Sequence, residues 1–260
     1  MVRRARLDAE LVRRGLARSR EQAAELVQAG RVRVAGSTAT KPATAVDPGT
    51  PVLVEDRDDD PGYASRGGHK LAGALDALPV PVQGRRVLDA GASTGGFTDV
   101  LLRRGAGEVV AVDVGYGQLA WNLRTDPRVT VHDRTNVREL TPERIGGPVE
   151  LTVADLSFIP LTLVLPALAA CTTEDLLPMV KPQFEVGKER VGPKGVVREP
   201  ALRAEAIRKV ADRAYELGLG TAGMTRSPLP GPAGNVEFFL WLRRDAPPAD
   251  PADIETVVVQ

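Results

Sequence analysis

From residue 86 onward, short apolar runs alternate with stretches of helical periodicity. Strands are predicted over 86–89, 108–114, 129–131, 151–154, 176–180 and 236–242, and helices over 97–104 and 201–217. Strands that alternate with helices form a parallel sheet with helices on both faces, so the pattern predicts an α/β domain. Ligands of such sheets bind beside the carboxyl ends of the strands, near the switch point next to the first strand.

The first 54 residues have a pattern of shorter elements. Leu7 and Leu11 are spaced for one face of a short helix, and a capping box at Ser19 begins a second helix. Residues 31–36 alternate with a period of two, and a closing strand is predicted over 52–54. These elements predict a small α+β unit that precedes the α/β domain.

An acidic segment, residues 55–64, separates the two patterns and is interrupted by Pro61-Gly62. Charged segments with Pro and Gly are typical of linkers. The sequence therefore predicts a small domain over residues 1–58, a linker over 59–64 and the larger domain over 65–260.

Composition adds a charge asymmetry to this picture. The 260 residues are 43% hydrophobic and 26% charged, which favours a folded protein over a disordered one. Basic and acidic residues cancel over the whole chain, but residues 1–41 hold ten Arg or Lys against four Asp or Glu. This pattern fits either a solvated surface or a nucleic-acid-binding surface, and it leaves both open. The candidate RNA-binding residues are Arg6, Arg13, Arg14, Arg18, Arg20, Arg31 and Arg33.

Several classes of protein are disfavoured by the composition of the chain. With one cysteine, Cys171, and two histidines, neither a disulfide framework nor an ordinary structural zinc site is expected, and no metal is predicted. No stretch approaches the ~18 apolar residues of a membrane span, and no signal-peptide pattern follows Met1. We therefore expect a soluble, cytoplasmic protein.

A glycine-rich turn, residues 91–96, follows the first predicted strand of the α/β domain. It does not fit the G-x-G-x-x-G fingerprint of dinucleotide-binding folds. It does match the G-x-S-x-G of a hydrolase elbow, but that site needs a histidine late in the chain. Both histidines, His69 and His132, come too early, which disfavours a hydrolase.

The segment from Asp89 to Phe97 resembles the first motif of Rossmann-like methyltransferases, which bind S-adenosylmethionine. Small residues in such a turn let the backbone approach the cofactor, and the following helix presents free N–H groups. Asp113 follows the second strand and is expected to accept ribose hydroxyls, while Asp133 follows the third and is expected near the adenine amine. The candidate cofactor-binding residues are Asp89, Gly91, Ser93, Thr94, Gly95, Gly96, Phe97, Asp113 and Asp133.

The segment after the fourth strand and the single cysteine narrow the choice of methyl acceptor. The segment 154–158 lacks the Asn/Asp-Pro-Pro-aromatic motif of exocyclic amine methylation. Cys171 lies in an apolar stretch and is predicted to be an inert core residue rather than a nucleophile. A hydroxyl acceptor remains, and a ribose hydroxyl reacts only when a base or a nearby cation assists the loss of its proton.

Four charged residues are candidates for that assistance. Lys181 follows the fifth strand and Asp155 the fourth, and the ends of adjacent strands lie ~5 Å apart. Lys70 precedes the first strand, and Glu237 stands at the last one. A desolvated lysine beside a second cation can lose its proton and act as a base.

Two resemblances cover nearly the whole chain. Residues 6–54 resemble the RNA-binding module that is named after a small-subunit ribosomal protein and is shared with pseudouridine synthases. The segments 65–70, 89–97, 181–185 and 192–195 resemble those of the TlyA family, bacterial ribosomal RNA methyltransferases with an FtsJ-like catalytic domain that were earlier labelled hemolysins. Family members often carry a tryptophan just before Ser-Arg-Gly, where this chain has Tyr63.

The family resemblance implies a fold, a reaction and a partner. The fold would be a Rossmann-like methyltransferase, with a mostly parallel seven-stranded sheet and helices on both faces, behind a small α+β RNA-binding domain. The reaction would be S-adenosylmethionine-dependent 2′-O-methylation of a cytidine in ribosomal RNA or ribosomal subunits, without a protein partner. The implied catalytic tetrad is Lys70, Asp155, Lys181 and Glu237.

Two alternatives come from other classes of protein. A membrane-active hemolysin finds no support, because the sequence has no spanning segment and no long basic amphipathic helix. An RNA-binding protein with a non-catalytic methyltransferase fold is disfavoured by the intact turn at 89–97 and by the four tetrad positions.

Overall fold

The computed structural model describes residues 4–17, 20–55 and 61–259. The chain forms two compact units, Met1–Gly62 and Tyr63–Gln260. Each unit is described by itself.

The amino-terminal unit packs two helices with short antiparallel strands. Its elements are β1 (Ala5–Arg6), α1 (Leu7–Arg13), α2 (Arg20–Gln28), β2 (Val32–Val34), β3 (Ser37–Thr38), β4 (Ala45–Val46) and β5 (Val52–Val54). The strands pair in the order β3-β2-β5, and β1 pairs with β4. Leu7 and Leu11 are fully buried on one face of α1, as their spacing predicts. The capping box predicted at Ser19 lies outside the described residues.

The larger unit is built on one seven-stranded sheet. Its strands are β6 (Arg86–Ala90), β7 (Glu108–Val112), β8 (Val129–His132), β9 (Val149–Ala154), β10 (Thr172–Val180), β11 (Gly220–Arg226) and β12 (Phe238–Arg243). Its helices are α3 (Arg66–Ala77), α4 (Gly96–Arg103), α5 (Trp121–Arg124), α6 (Leu161–Cys171), α7 (Pro182–Glu185), α8 (Pro200–Glu216) and α9 (Pro251–Val259). The strand order is β11-β12-β10-β9-β6-β7-β8. Strands β6 to β10 run parallel to one another, and β12 is antiparallel to both of its neighbours.

Both faces of the sheet are covered by helices, as the alternation of elements predicts. Successive strand residues point to opposite faces. Leu88 and Val110 accordingly belong to a core with α6, α8 and α9, while Val87 and Val109 belong to a second core with α3 and α4. The predicted fold class, a mostly parallel seven-stranded sheet between two helical layers, is confirmed.

The structure shortens two of the predicted strands, extends others such as β10, which begins at Thr172 rather than at residue 176, and adds elements that the sequence did not predict. Strand β7 ends at Val112 rather than at residue 114, and β12 begins at Phe238 rather than at residue 236. Strand β11 has no apolar run to reveal it, and α6 is apolar on nearly all sides, so neither shows the usual period. Helix α9 follows a Pro-rich segment and buries Ile254, Val257 and Val258.

Neither a membrane-spanning helix nor a metal centre is present in the described parts of the chain. Over residues 4–17, 20–55 and 61–259, no helix is both long and apolar enough to cross a bilayer. The same residues contain no group of three or more His, Cys, Asp or Glu arranged to hold a metal ion.

Candidate active site

The carboxyl ends of the parallel strands meet at one edge of the sheet, as the order of the elements predicts. Ala90 at the end of β6 is in register with Val112 and with Ala154, and Val180 at the end of β10 is in register with Phe238. The candidate residues that leave the parallel strands at this edge are Gly91, Asp113, Asp133, Asp155 and Lys181. Because β12 is antiparallel to β10, it begins at this edge, and Glu237 immediately precedes its first residue, Phe238, which pairs with Val180.

The glycine-rich turn is shaped by close backbone contact. Gly91 has φ +88°, and a Cβ at this position would lie 2.6 Å from the carbonyl oxygen of Asp155. Gly95 has φ +99°, and a Cβ there would collide with Leu119 and Leu123. A side chain is excluded at both positions, because φ in this range is left-handed and the space is already filled. Gly91 and Gly95 therefore let the turn pack closely against Asp155 and against Leu119 and Leu123, while Ser93 within it is exposed.

Asp89, the second-last residue of β6, is fully buried, and only one of its two carboxylate oxygens has a hydrogen-bond partner. Thr98 Oγ1 donates a hydrogen bond of 2.6 Å to Oδ2, while Oδ1 has no partner among the residues described. Burial raises the pKa of Asp89 to about 7, and the charges of Asp155 and Asp113 also raise it. A buried carboxylate oxygen without a partner is costly unless a ligand completes it.

Asp113 is held by the backbone around it. Its Oδ2 accepts the N–H of Ser93 at 2.8 Å, and its Oδ1 accepts the N–H of Gly115 at 2.7 Å. These bonds fix the carboxylate beside the glycine-rich turn. Since each oxygen carries further lone pairs, the group keeps capacity for ribose hydroxyls.

The remaining candidate cofactor residues have contacts within the protein. Asp133, which the sequence predicts near the adenine amine, lies 2.9 Å from the guanidinium of Arg124. Thr94 accepts the N–H of Ala120 through its carbonyl oxygen. Gly96 lies tightly against Ser65 and Gly68 at the start of α3, and Phe97 is buried with its ring centroid 6.0 Å from that of Phe239.

The four tetrad residues form two lysine–carboxylate pairs. Lys181 Nζ lies 2.6 Å from Asp155 Oδ1, and Lys70 Nζ lies 2.5 Å from Glu237 Oε2. Three of the four side chains are buried, and Asp155 is the most exposed of them at 24%. Each lysine thus contacts its own acid, an arrangement that the sequence left open.

Three further residues at this edge were missed by the sequence reasoning. Ser157 Oγ accepts a hydrogen bond of 2.8 Å from Lys181 Nζ. Phe158 is 91% exposed at φ +65°, with its ring centroid 5.4 Å from that of Phe184. Glu185 is buried and accepts the N–H of Leu161. Only the proximity of Ser157 and Phe158 to Asp155 in the sequence could have indicated the first two.

Cys171 behaves as the sequence predicts. It ends α6 in the core, fully buried, and burial raises the pKa of its thiol to about 11. A thiol with a raised pKa is a poor nucleophile at neutral pH.

The basic residues of the amino-terminal unit are largely paired within that unit. Their acceptors are Asp8 for Arg6 and Arg20, Glu10 for Arg13 and Arg14, the Glu55 side chain for Arg33 and the Glu55 carbonyl for Arg31. The hydrogen bond from Arg6, more than any other contact, lowers the pKa of Asp8 to about 2. Arg18 lies outside the described residues.

Arg14 is more buried than Arg13, with which it shares Glu10. Its side chain is 19% exposed, and it also donates to the carbonyl oxygens of Thr50 and Pro48. Arg13 is bound to the same Glu10 but is 61% exposed. Arg14 therefore serves the packing of the unit, while Arg13 remains accessible to a ligand.

Comparison with known proteins identifies both units. The FtsJ-like methyltransferase family model matches residues 63–244, and the S4 domain model matches residues 5–52. The chain is 65% identical to the "16S/23S rRNA (cytidine-2'-O)-methyltransferase TlyA" of Mycobacterium tuberculosis, with 94% of this chain and 91% of the relative covered. It is 44% identical to the "Putative rRNA methyltransferase YqxC" of Bacillus subtilis, over 91% and 85% of the two chains. Among solved structures, the "Putative hemolysin from Streptococcus thermophilus" superposes with a TM-score of 0.80 at 39% identity, covering 100% of this chain and 96% of that one.

Proposed function

This chain belongs to the TlyA family of FtsJ-like methyltransferases, and we propose that it transfers the methyl group of S-adenosylmethionine to the 2′-hydroxyl of a cytidine in ribosomal RNA. The observation that carries this proposal is the pair of lysine–carboxylate contacts beside the glycine-rich turn. A ribosomal substrate implies a protein that works in the cytoplasm.

The residues at the turn fit S-adenosylmethionine. The unpartnered Oδ1 of Asp89 is a suitable acceptor for the ammonium of an amino acid, and the neighbouring turn has an exposed residue, Ser93, beside Asp113. Asp113 stands at the next strand end with lone pairs left for ribose hydroxyls. When bound, the cofactor supplies an electrophilic methyl group.

Lys181 is the residue that we assign to the acceptor hydroxyl. Its Nζ lies 2.6 Å from Asp155 Oδ1 and donates a hydrogen bond to Ser157 Oγ, so the amine has a defined position before the substrate arrives. Such preorganisation is effective because no reorientation is needed as charge develops on the 2′-oxygen. As the methyl–sulfur bond breaks and the methyl–oxygen bond forms, the hydroxyl proton would pass to Lys181 if its amine is neutral. If Lys181 stays protonated, it would stabilise the charge that develops on the 2′-oxygen while the proton passes to water.

Lys70 and Glu237 form the second ion pair of the candidate site. Their ion pair joins α3 to the start of β12, directly beside the end of β10. Because both side chains are buried, the pair holds one defined geometry. We assign to Lys70 the second positive charge at the acceptor, and to Glu237 the orientation of Lys70.

The amino-terminal unit is assigned to RNA binding through phosphates. The S4 match and the exposed arginines Arg6, Arg13 and Arg20 support this assignment. Phosphate contacts position an RNA without reading its sequence. We propose residues 1–58 as the RNA-binding domain, 59–64 as the linker and 65–260 as the methyltransferase domain.

Mass spectrometry of ribosomal RNA tests the function directly. RNA from cells that lack the gene should miss a 2′-O-methylcytidine, and the wild-type gene should restore it. A complementing gene with Lys181→Ala should not restore it although the protein is present. Complete methylation in cells without the gene would contradict the proposal, and binding of RNA without methylation by the purified protein would support a non-catalytic RNA-binding protein.

A further inference from the structure

Two segments at the active edge contact each other residue by residue. One is the acceptor loop, residues 155–160, which joins β9 to α6; the other is the lysine turn, residues 181–185, which follows β10. Lys181 at the start of the lysine turn contacts Asp155 and Ser157, and the ring of Phe184 packs against that of Phe158 at an interplanar angle of 51°. Glu185 at the end of the turn accepts the N–H of Leu161, just past the loop, at 2.7 Å.

The contact of Glu185 with Leu161 caps a helix from outside. Leu161 is the first residue of α6, so its N–H has no acceptor within the helix. Pro160 precedes it and carries no side-chain acceptor, so the capping oxygen is supplied by Glu185 Oε1, 24 residues further along the chain. Glu185 is only 3% exposed, which makes this bond part of the interior rather than a surface contact.

The acceptor loop needs to be held at both ends. The N–H of Asp155 donates to the carbonyl oxygen of Ala90, which anchors the first end to β6. Phe158 in the middle has φ +65°, a conformation that costs free energy for a residue with a side chain and persists only where the surroundings enforce it. The bond from Leu161 to Glu185 anchors the second end.

We propose that Glu185 is a positioning residue that clamps the acceptor loop against the lysine turn and so keeps Asp155 and Ser157 in contact with Lys181. This proposal rests on the proposed function, because it assigns Glu185 a role at the same site. Glu185 touches neither the substrate nor the reacting atoms. It acts through Leu161, since a loop freed at that end no longer presents two acceptors to Lys181 at fixed distances.

The clamp depends on an oxygen acceptor rather than on a negative charge. Oε2 of Glu185 is buried without a partner among the described residues, and burial raises the pKa of this carboxyl to about 7. Lys209 on α8 is the charged group that faces it, and its Nζ donates to the carbonyl oxygen of Glu185 rather than to the carboxylate. An amide of the same shape should therefore cap Leu161 as well as the acid does.

Three variants of the full-length protein test the clamp. Glu185→Ala removes the acceptor, Glu185→Gln keeps it, and Asp175→Ala is the matched control. Asp175 is a buried acid like Glu185, but it lies in β10, away from the end of the strand that precedes Lys181. It accepts the indole N–H of Trp241. The measurements are the kcat of RNA methylation, the KM for RNA, and hydrogen exchange of peptides that span residues 155–165.

Glu185→Ala should lower kcat by about tenfold to a hundredfold, because a displacement of about 1 Å at reacting groups has effects of that size. The KM for RNA should stay within twofold, and exchange in 155–165 should become at least tenfold faster. Glu185→Gln should keep kcat within threefold with unchanged exchange. Asp175→Ala should lower the melting temperature while kcat per folded molecule stays unchanged.

Two results would overturn the clamp: a Glu185→Ala enzyme with kcat within twofold of wild type, or a Glu185→Gln enzyme as impaired as the alanine variant. If Glu185→Ala does not fold, Glu185→Asp replaces it, because the shorter side chain withdraws the acceptor while the charge remains. Hydrogen exchange needs no activity. Unchanged exchange of residues 155–165 in Glu185→Ala would therefore also overturn the clamp, even if the wild-type protein methylates no ribosomal RNA, a result that by itself would contradict only the proposed function.

Discussion

Lys181 and Asp155 leave two neighbouring parallel strands, and their side chains meet with Nζ 2.6 Å from Oδ1. The contact is possible because β9 and β10 run side by side and end at the same edge of the sheet. Ser157, two residues beyond Asp155, supplies a second acceptor to the same amine at 2.8 Å. The amine thus has a defined position in which it can meet a substrate hydroxyl.

The first prediction concerns Lys181 itself. Lys181→Ala should lower kcat by about 10²–10⁴-fold, the range typical of a group that transfers or stabilises a proton in the transition state. The dissociation constant for S-adenosylmethionine should change little, because the contacts of Lys181 lie with Asp155 and Ser157 and not with the glycine-rich turn. Calorimetry measures cofactor binding, and single-turnover methylation measures the chemical step.

Lys181→Arg separates the two roles left open for Lys181. A guanidinium stays protonated and its planar shape does not replace a compact amine, so this variant should be as inactive as the alanine variant if Lys181 is the base. Substantial activity of Lys181→Arg at saturating RNA would rule out the base and leave a purely cationic role.

The second prediction concerns the buried pair of Lys70 and Glu237. Lys70→Met leaves a buried carboxylate without its partner and should destabilise the protein by about 3–5 kcal/mol. Adding Glu237→Gln should restore much of that stability, since the uncompensated charge is removed, but activity should stay low. Denaturant unfolding and methylation assays on both variants check this. Full activity in the stable double variant would show that the pair is only structural.

The third prediction concerns pH and Asp89. Since the pKa of Asp89 is raised to about 7, the folded protein binds a proton that the unfolded chain has lost above pH 4. Stability should therefore fall as the pH rises from about 4 to 7, and Asp89→Asn should remove this share of the pH dependence. Thermal melts of the two proteins between pH 5 and pH 8 measure the difference.

Asp89 should affect cofactor binding with the opposite trend. A carboxylate that accepts the cofactor ammonium must be ionised, so the affinity for S-adenosylmethionine should rise as the pH rises through about 7. Asp89→Asn should bind about tenfold to a hundredfold more weakly, the loss expected for a hydrogen bond between charged groups, and without the pH dependence. If the affinity of the wild-type protein for S-adenosylmethionine does not change between pH 6 and pH 8, Asp89 does not bind the cofactor ammonium.

The fourth prediction separates two adjacent arginines that share Glu10. Arg14→Ala should destabilise the amino-terminal unit, because the buried guanidinium also holds the carbonyl oxygens of Thr50 and Pro48. Arg13→Ala should leave that unit folded and weaken RNA binding, with the slope of log K against log salt reduced by about one. Filter binding at several salt concentrations, with circular dichroism as the control for folding, distinguishes them. Equal effects of both substitutions on RNA binding at equal stability would contradict the assignment.

Much of the architecture is encoded in local sequence. The apolar runs at 86–89 and 151–154 predict strands, and both are present in β6 and β9. A parallel sheet aligns the carboxyl ends of its strands, so the expectation that Asp113, Asp155 and Lys181 gather at one edge needed no coordinates. Elements without periodicity were missed: α6 is apolar on nearly all sides, and β11 consists largely of small and polar residues.

The sequence alone determined the fold class, the edge of the sheet where the chemistry belongs, and the four charged residues that gather there. The fold class and the positions of Asp155 and Lys181 depend on the period of apolar residues and on which residue follows each strand, and both are local properties. The choice of Lys70 and Glu237, which do not follow strands, rests on the family resemblance. Only the tertiary structure decided the partners. Lys70 and Glu237 are 167 positions apart, and their contact depends on the antiparallel placement of β12 beside β10. The cap of Glu185 on Leu161 likewise depends on how two loops pack, because a hydrogen bond between distant segments is set by their positions in space and leaves no period in the sequence.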